Sequence, residues 1–119
     1  MSDIAFALIT PIIVGFLIGY YLDGKVSAVL GTHTHIQTAD EKILSGGTGY
    51  ITDIGMTGPS ESVLGVKKEI IIEKFLTQSI LSHKVASGET IFEAVVLEID
   101  KKTKKTIKIK RLQIAAGSN

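Results

Sequence analysis

The sequence predicts an α/β domain, with an α+β arrangement of the same elements as the alternative. Three observations carry this. Two short apolar runs, Val26–Leu30 and Tyr50–Ile54, read as buried strands separated by glycine-rich turns. One stretch, Val66–Thr77, has helical amphipathic spacing, and the chain closes with two alternating segments that read as a β-hairpin. With 119 residues, 45% of them hydrophobic, this is one domain at most. A net charge of +1 gives no reason to expect a nucleic-acid polymer as partner. The absence of cysteine excludes disulfides, thiolate metal sites and a cysteine nucleophile.

In chain order, Ile4–Leu22 is an uncharged, mostly apolar run of 19 residues broken by Thr10, Pro11 and two glycines. Its length sits at the lower edge of a membrane-spanning helix. Gly15 and Gly19 form a G-x-x-x-G, which in lipid lets helices pack closely, and Tyr20 and Tyr21 suit an interface. A secretory signal fits poorly, because there is no basic leading region or small-residue cleavage site. Three readings stay open for residues 4–22: a membrane-inserting helix, a helix buried against the sheet, or an artificially joined segment.

Lys42–Leu44 reads as a short strand. Ser45-Gly46-Gly47-Thr48-Gly49 is a tight turn that needs positive φ but lacks the lysine and spacing of a phosphate-binding loop. Along the amphipathic helix Ile71 and Phe75, and Ile72 and Leu76, fall four apart and form an apolar, core-packing face. His83 stands alone and reads as a surface histidine. Glu89–Asp100 and Thr106–Ala115 form the terminal hairpin, joined by a lysine-rich link, Lys101–Lys105. Lysines there protect an exposed sheet edge from unwanted pairing, with a phosphate-attracting patch as the alternative.

The chemistry-bearing stretch is Gly31-Thr32-His33-Thr34-His35-Ile36-Gln37-Thr38, directly after the first strand. In an extended segment His33 and His35 would point the same way, roughly 6.5–7 Å apart. Two imidazoles so placed can converge on one metal, or on two ions about 3.5–4 Å apart. Thr32 and Thr34 are short and polar, suited to fixing ring orientation by hydrogen bonds. Asp53, read as part of the second strand, is either a hydrogen-bond acceptor near a metal or a loop anchor. The bland alternative is a strand end with two solvated histidines.

From Gly19 onward the chain resembles the YmdB-like metallophosphoesterases, bacterial relatives of the calcineurin-type phosphoesterases. The resemblance runs through Gly19-Tyr20-Tyr21-Leu22-Asp23-Gly24-Lys25-Val26-Ser27-Ala28-Val29 and Gly31-Thr32-His33-Thr34-His35. It continues through Gln37–Glu41, Gly46-Gly47-Thr48 and Tyr50–Pro59, and covers residues 19–115. It implies a partial metallophosphoesterase sandwich over residues 19–119, joined to an unrelated apolar helix over 1–18. It further implies that His33 and His35 are ligands of a dinuclear centre of iron or manganese, with zinc as the alternative. The substrate it implies is a phosphodiester such as a cyclic nucleotide, and the location cytoplasmic, unless residues 4–22 associate with a membrane.

The resemblance also shows what is missing. The family draws an aspartate, further acidic and asparagine ligands, and a Gly-Asn-His loop from an N-terminal half. It draws another histidine from a His-Ala-Glu element where this chain reads Ile9–Gly15. The single asparagine here is Asn119. Three readings follow: a portion of a phosphodiesterase that carries two ligands and is inactive alone, a membrane-anchored non-catalytic assembly or regulatory module, or a truncated or chimeric product. A half-domain would expose sheet surface, so a homo-oligomer or a complementing N-terminal half is the expected partner.

Overall fold

The computed structural model describes residues 3–78, 80–82 and 84–116, with side chains from Ile13 onward. The elements are α1 (Asp3–Leu22), β1 (Ala28–Leu30), β2 (Lys42–Ile43), β3 (Gly49–Ile51), β4 (Gly58–Pro59), α2 (Lys68–Thr77), β5 (Thr90–Ile99) and β6 (Thr106–Ala116). Mixed helix and strand in two three-stranded sheets is the α/β character the sequence predicts. The chain divides into two compact units: residues up to Gly55 with Val95–Arg111, and Met56–Ala94 with the chain from Leu112.

The first unit is built on the sheet ordered β1-β3-β2, with β1 parallel and β2 antiparallel to β3. The central strand β3 is fully buried, Tyr50 at 1% and Ile51 at 0% exposure. Glycine spacing explains how α1 reaches it. A Cβ on Gly19 would lie 2.6 Å from Cδ2 of Tyr50, and one on Gly15 would lie 3.2 Å from the Tyr50 hydroxyl. The G-x-x-x-G is therefore a seat for an aromatic ring within this chain, completed by Phe16 stacked 5.1 Å from Tyr50. Among the described residues no helix is long and apolar enough to cross a membrane. Ile13, Val14, Leu17 and Tyr21, away from that seat, are exposed.

Behind the sheet lies a polar knot. Asp23, in the turn after α1, accepts hydrogen bonds from Gly46 N at 2.8 Å and Thr48 N at 3.2 Å. Thr48 Oγ1 accepts from Gly24 N and donates to the Val26 carbonyl. Thr106 N donates to the Gly47 carbonyl, and its hydroxyl donates to Ser27 O at 2.6 Å. Thr48 and Thr106 are buried, so these bonds satisfy groups that water cannot reach. Gly47 takes φ of +95°, the positive φ expected of this turn.

In the second unit β4 pairs antiparallel with β5, Gly58 opposite Ile91 and Pro59 opposite Thr90. The hairpin ladder of β5 and β6 forms as predicted, and the residues of both strands divide between the two units. The lysine link, which belongs to the first unit, is turned by Asp100, whose carboxylate accepts from Lys102 N and Thr103 N. α2 forms two residues later than the spacing predicts, with Glu69 in its first turn and Lys74 in its last, both favourable to the helix dipole. Its apolar face does not pack into a core. No α2 residue is buried, and Phe75 and Leu76 are 81% and 80% exposed. Periodicity identifies which face would be covered, not whether this chain covers it. His83 lies outside the described residues.

The glycine seat is directly testable. Valine is a better helix former than glycine by helix propensity alone, but at Gly19 its Cβ must displace a buried ring. Gly19→Val is expected to destabilise the chain by about 1–3 kcal/mol, the usual cost of overpacking, read as a lowered denaturant midpoint with unchanged slope.

Candidate functional site

β1 ends at Leu30, and Gly31 carries the chain out of the sheet. Gly31 N donates to Ile51 O at 3.0 Å, while Gly31 O accepts from Ile54 N at 2.9 Å. A side chain here would run into the Thr52 carbonyl, so only glycine lets the two backbones cross. The histidines follow at once. They do not occupy the extended segment that the alternation of types suggested. His33 has φ of 135° and His35 φ of 61°, both in the region that side chains other than glycine rarely adopt. Each such residue costs on the order of 1–3 kcal/mol, and persists only where its surroundings over-determine it.

The surroundings here are one carboxylate. Asp53, 1% exposed, accepts at Oδ2 from both the amide and the hydroxyl of Thr34, at 2.8 and 2.7 Å, and at Oδ1 from Gly55 N at 2.8 Å. Two donors of Thr34 meeting one buried oxygen pull the residue between the histidines inward and bend the chain around it. The imidazoles of His33 and His35 stay exposed on either side. Asp53 itself stands just beyond β3, which ends at Ile51, and not within the strand as its flanking isoleucines suggested. Thr32 is exposed at the entry to the loop, and Gln37 Nε2 closes its far side on the Ile54 carbonyl at 3.2 Å.

Sequence reasoning passed over Asp40. Its Oδ1 accepts from Thr38 Oγ1 at 2.6 Å and from Thr52 N at 3.1 Å, and its Oδ2 accepts from the Thr52 hydroxyl. Thr38 in turn accepts from Asp53 N at 3.0 Å and donates its amide to Asp53 O at 3.0 Å. The signal available was Thr38-x-Asp40, a local hydroxyl–carboxylate pair. The long-range bonds to residues 52 and 53 left no mark in it. Burial pushes the Asp40 carboxyl up, but the hydrogen bonds from Thr38 and Thr52 outweigh it and hold the group below the ordinary carboxylate range.

The glycine turn offers nothing to a phosphate. Gly46 N and Thr48 N are taken by Asp23, and Gly47 N by the Leu44 carbonyl. For a metal the fit is partial. Two exposed imidazoles on a pinned loop suit ions that accept nitrogen donors. Yet among the described residues no group of three or more His, Cys, Asp or Glu comes together as a cation site. His33 and His35 are a pair of donors and not a complete set.

Two outcomes are expected. Asp53→Ala orphans three donors of a part-buried loop and should cost about 3 kcal/mol or more, given about 1.5–3 kcal/mol for a hydrogen bond to a charged group, measured by urea unfolding. The depressed Asp40 carboxyl contributes stability fully above its unfolded value of about 3.9, and loses it as pH falls through the lower folded value. The stability gap between the wild type and Asp40→Asn, followed by acid titration of unfolding, should accordingly narrow below about pH 3.9 and not above.

Comparison with known proteins places this loop in context. The sequence model of the family described as YmdB-like protein matches residues 16–112, beginning inside α1. A Bacillus subtilis (strain 168) protein named 2′,3′-cyclic-nucleotide 2′-phosphodiesterase is 53% identical over 97 residues, covering 82% of this chain and 37% of that protein. A solved structure described as a novel phosphatase of Mycoplasma pneumoniae is similar with a TM-score of 0.81 and 36% identity, over 85% of this chain and 36% of that one. A hypothetical protein from Thermus thermophilus is similar with a TM-score of 0.79 and 37% identity, over 85% of this chain and 39% of that one. The chain thus spans well under half the length of the relatives it matches. With the match running from α1 through the histidine loop into β6, this chain belongs to the YmdB-like protein family.

Proposed function

We propose that this chain is the portion of a metal-dependent phosphodiesterase that brings His33 and His35 to a dinuclear metal centre, with a cyclic nucleotide as substrate. The observation that carries the reading is the His33–His35 loop, held in a costly backbone conformation by a buried carboxylate while both imidazoles stay exposed. A strained, solvent-facing pair of donors is what a binding loop requires and a mere connection does not. Similarity to a 2′,3′-cyclic-nucleotide 2′-phosphodiesterase supports the substrate class. In this reading Thr34 and Asp53 orient the loop, and Thr32 lines its entry.

The chain's own residues bind and orient; they do not complete a reaction. Two imidazoles leave most of the coordination of a two-ion site to other donors, and the described residues gather no third one. The completing carboxylates and asparagine come, in this proposal, from a polypeptide corresponding to the remainder of the longer relatives. Iron or manganese is the expected metal, with zinc as the alternative.

The test has two arms. Alone, the purified chain should hold less than stoichiometric iron, manganese or zinc by elemental analysis, and should leave 2′,3′-cyclic AMP unhydrolysed. Mixed with the missing portion of the B. subtilis relative, it should gain metal and turnover. His33→Ala with His35→Ala should remove both, by more than the roughly 10–100-fold typical of losing an outer hydrogen-bond partner of a ligand. Complementation that survives the double substitution, or full turnover by the chain alone, would overturn the proposal.

A further inference from the structure

We infer that Asp40 is a positioning residue for the His33–His35 loop, acting through Thr38 on Asp53; this rests on the reading of the two histidines as metal donors. The geometry runs through hydrogen bonds, each with a defined direction. The Thr38 hydroxyl has one proton, and the Asp40 carboxylate takes it at 2.6 Å. A charge-assisted acceptor at that distance outcompetes the neutral carbonyl of Asp53, 3.3 Å from the same hydroxyl. With its proton committed, the Thr38 oxygen offers a lone pair to the Asp53 amide at 3.0 Å, while the Thr38 amide grips the Asp53 carbonyl at 3.0 Å. Both backbone groups of Asp53 are thereby fixed. Its side chain can then hold Thr34, and Thr34 holds the two histidines at positive φ.

Asp40 is itself anchored. The Thr52 amide and hydroxyl bind it, and the Thr52 hydroxyl also meets the Tyr50 hydroxyl at 3.1 Å. The series therefore starts at the ring on which α1 sits and ends between His33 and His35. Every member belongs to the same compact unit. A carboxylate that merely closed the turn at residues 38–41 would need the local Thr38 bond alone. Its further bonds reach residue 52, beside the carboxylate that shapes the histidine loop.

The experiment separates positioning from stability, and this inference from the reading beneath it. In the full chain, amide hydrogen exchange is measured at Thr34 and at Gly49, whose amide donates to Ser27 O within the sheet unit. Zinc alone is titrated while the His33 and His35 ring signals are followed. Asp40→Asn and Thr38→Val should speed exchange at Thr34 but not at Gly49, and weaken zinc binding by about tenfold, the lower end for losing an outer partner of a ligand. Thr38→Ser, which keeps the hydroxyl, should restore both. If Asp40→Asn fails to fold, the Thr38→Val and Thr38→Ser pair carries the comparison. Unchanged Thr34 exchange in Thr38→Val, or equal acceleration at Thr34 and Gly49, would overturn the inference. Zinc in large excess that binds elsewhere on the wild type and moves neither ring signal would instead overturn the metal reading, while selective exchange at Thr34 would still uphold the positioning role of Asp40.

Discussion

Much of the first unit depends on one contact, the Tyr50 ring laid across Gly15 and Gly19. Glycine is a poor helix former, so two glycines four residues apart in an apolar helix weaken it unless something uses the space. Here an aromatic ring uses it. The helix axis is drawn close to β3, the ring is sealed from water, and its hydroxyl is left pointing at Thr52. That hydroxyl begins the polar series through Thr52, Asp40, Thr38 and Asp53 that ends at the histidine loop. Packing and site geometry are consequently the same structure seen from two ends.

The interior is unusual in its balance. Among the described residues the buried hydrophobics are Leu44, Tyr50, Ile51 and Ala86, while Thr48, Asp53 and Thr106 are buried polar groups. So small an apolar core contributes little, and the buried polar groups must each be satisfied or they cost more than the core contributes. They are satisfied, by Asp23 with the glycine turn, by Thr106 with Ser27, and by Asp53 with Thr34 and Gly55. Meanwhile Leu17, Phe75, Leu76 and Ile114 remain exposed, and among the described residues β1 stands at the edge of its sheet with no strand on its outer side. The chain represents little more than a third of the length of the relatives it matches.

The proposed metal chemistry and the fold meet at the same shortfall. In the proposed function, a loop that strains two residues to expose two imidazoles serves a task that two imidazoles cannot finish. The hydrogen bonds that shape the loop come from this chain alone, since Asp53, Thr38 and Asp40 are all present. The further metal donors that the proposed function calls for are not gathered by its described residues. In the proposed function, a preorganised partial site of this kind would lower the cost of assembly, because part of the ordering precedes the arrival of the other donors.

What the sequence determined by itself was everything carried by local pattern. Period-two and period-four spacing located β5, β6 and α2, Gly31 marked the exit from β1, and the run Gly-Thr-His-Thr-His marked the loop that bears both histidines. What only the tertiary structure decided depends on partners far along the chain. The use of Gly15 and Gly19 hinges on Tyr50, more than thirty residues away, so the same motif read equally well as a lipid-facing one. The backbone of His33 and His35 hinges on Asp53, and the grip on Asp53 on Asp40, a residue whose local context spoke only of a turn. The exposed face of α2 hinges on whether anything lies against it. Periodicity states what an element prefers to bury; a hydrogen bond between distant residues, or the absence of a covering surface, is a property of the assembled fold and leaves no local trace.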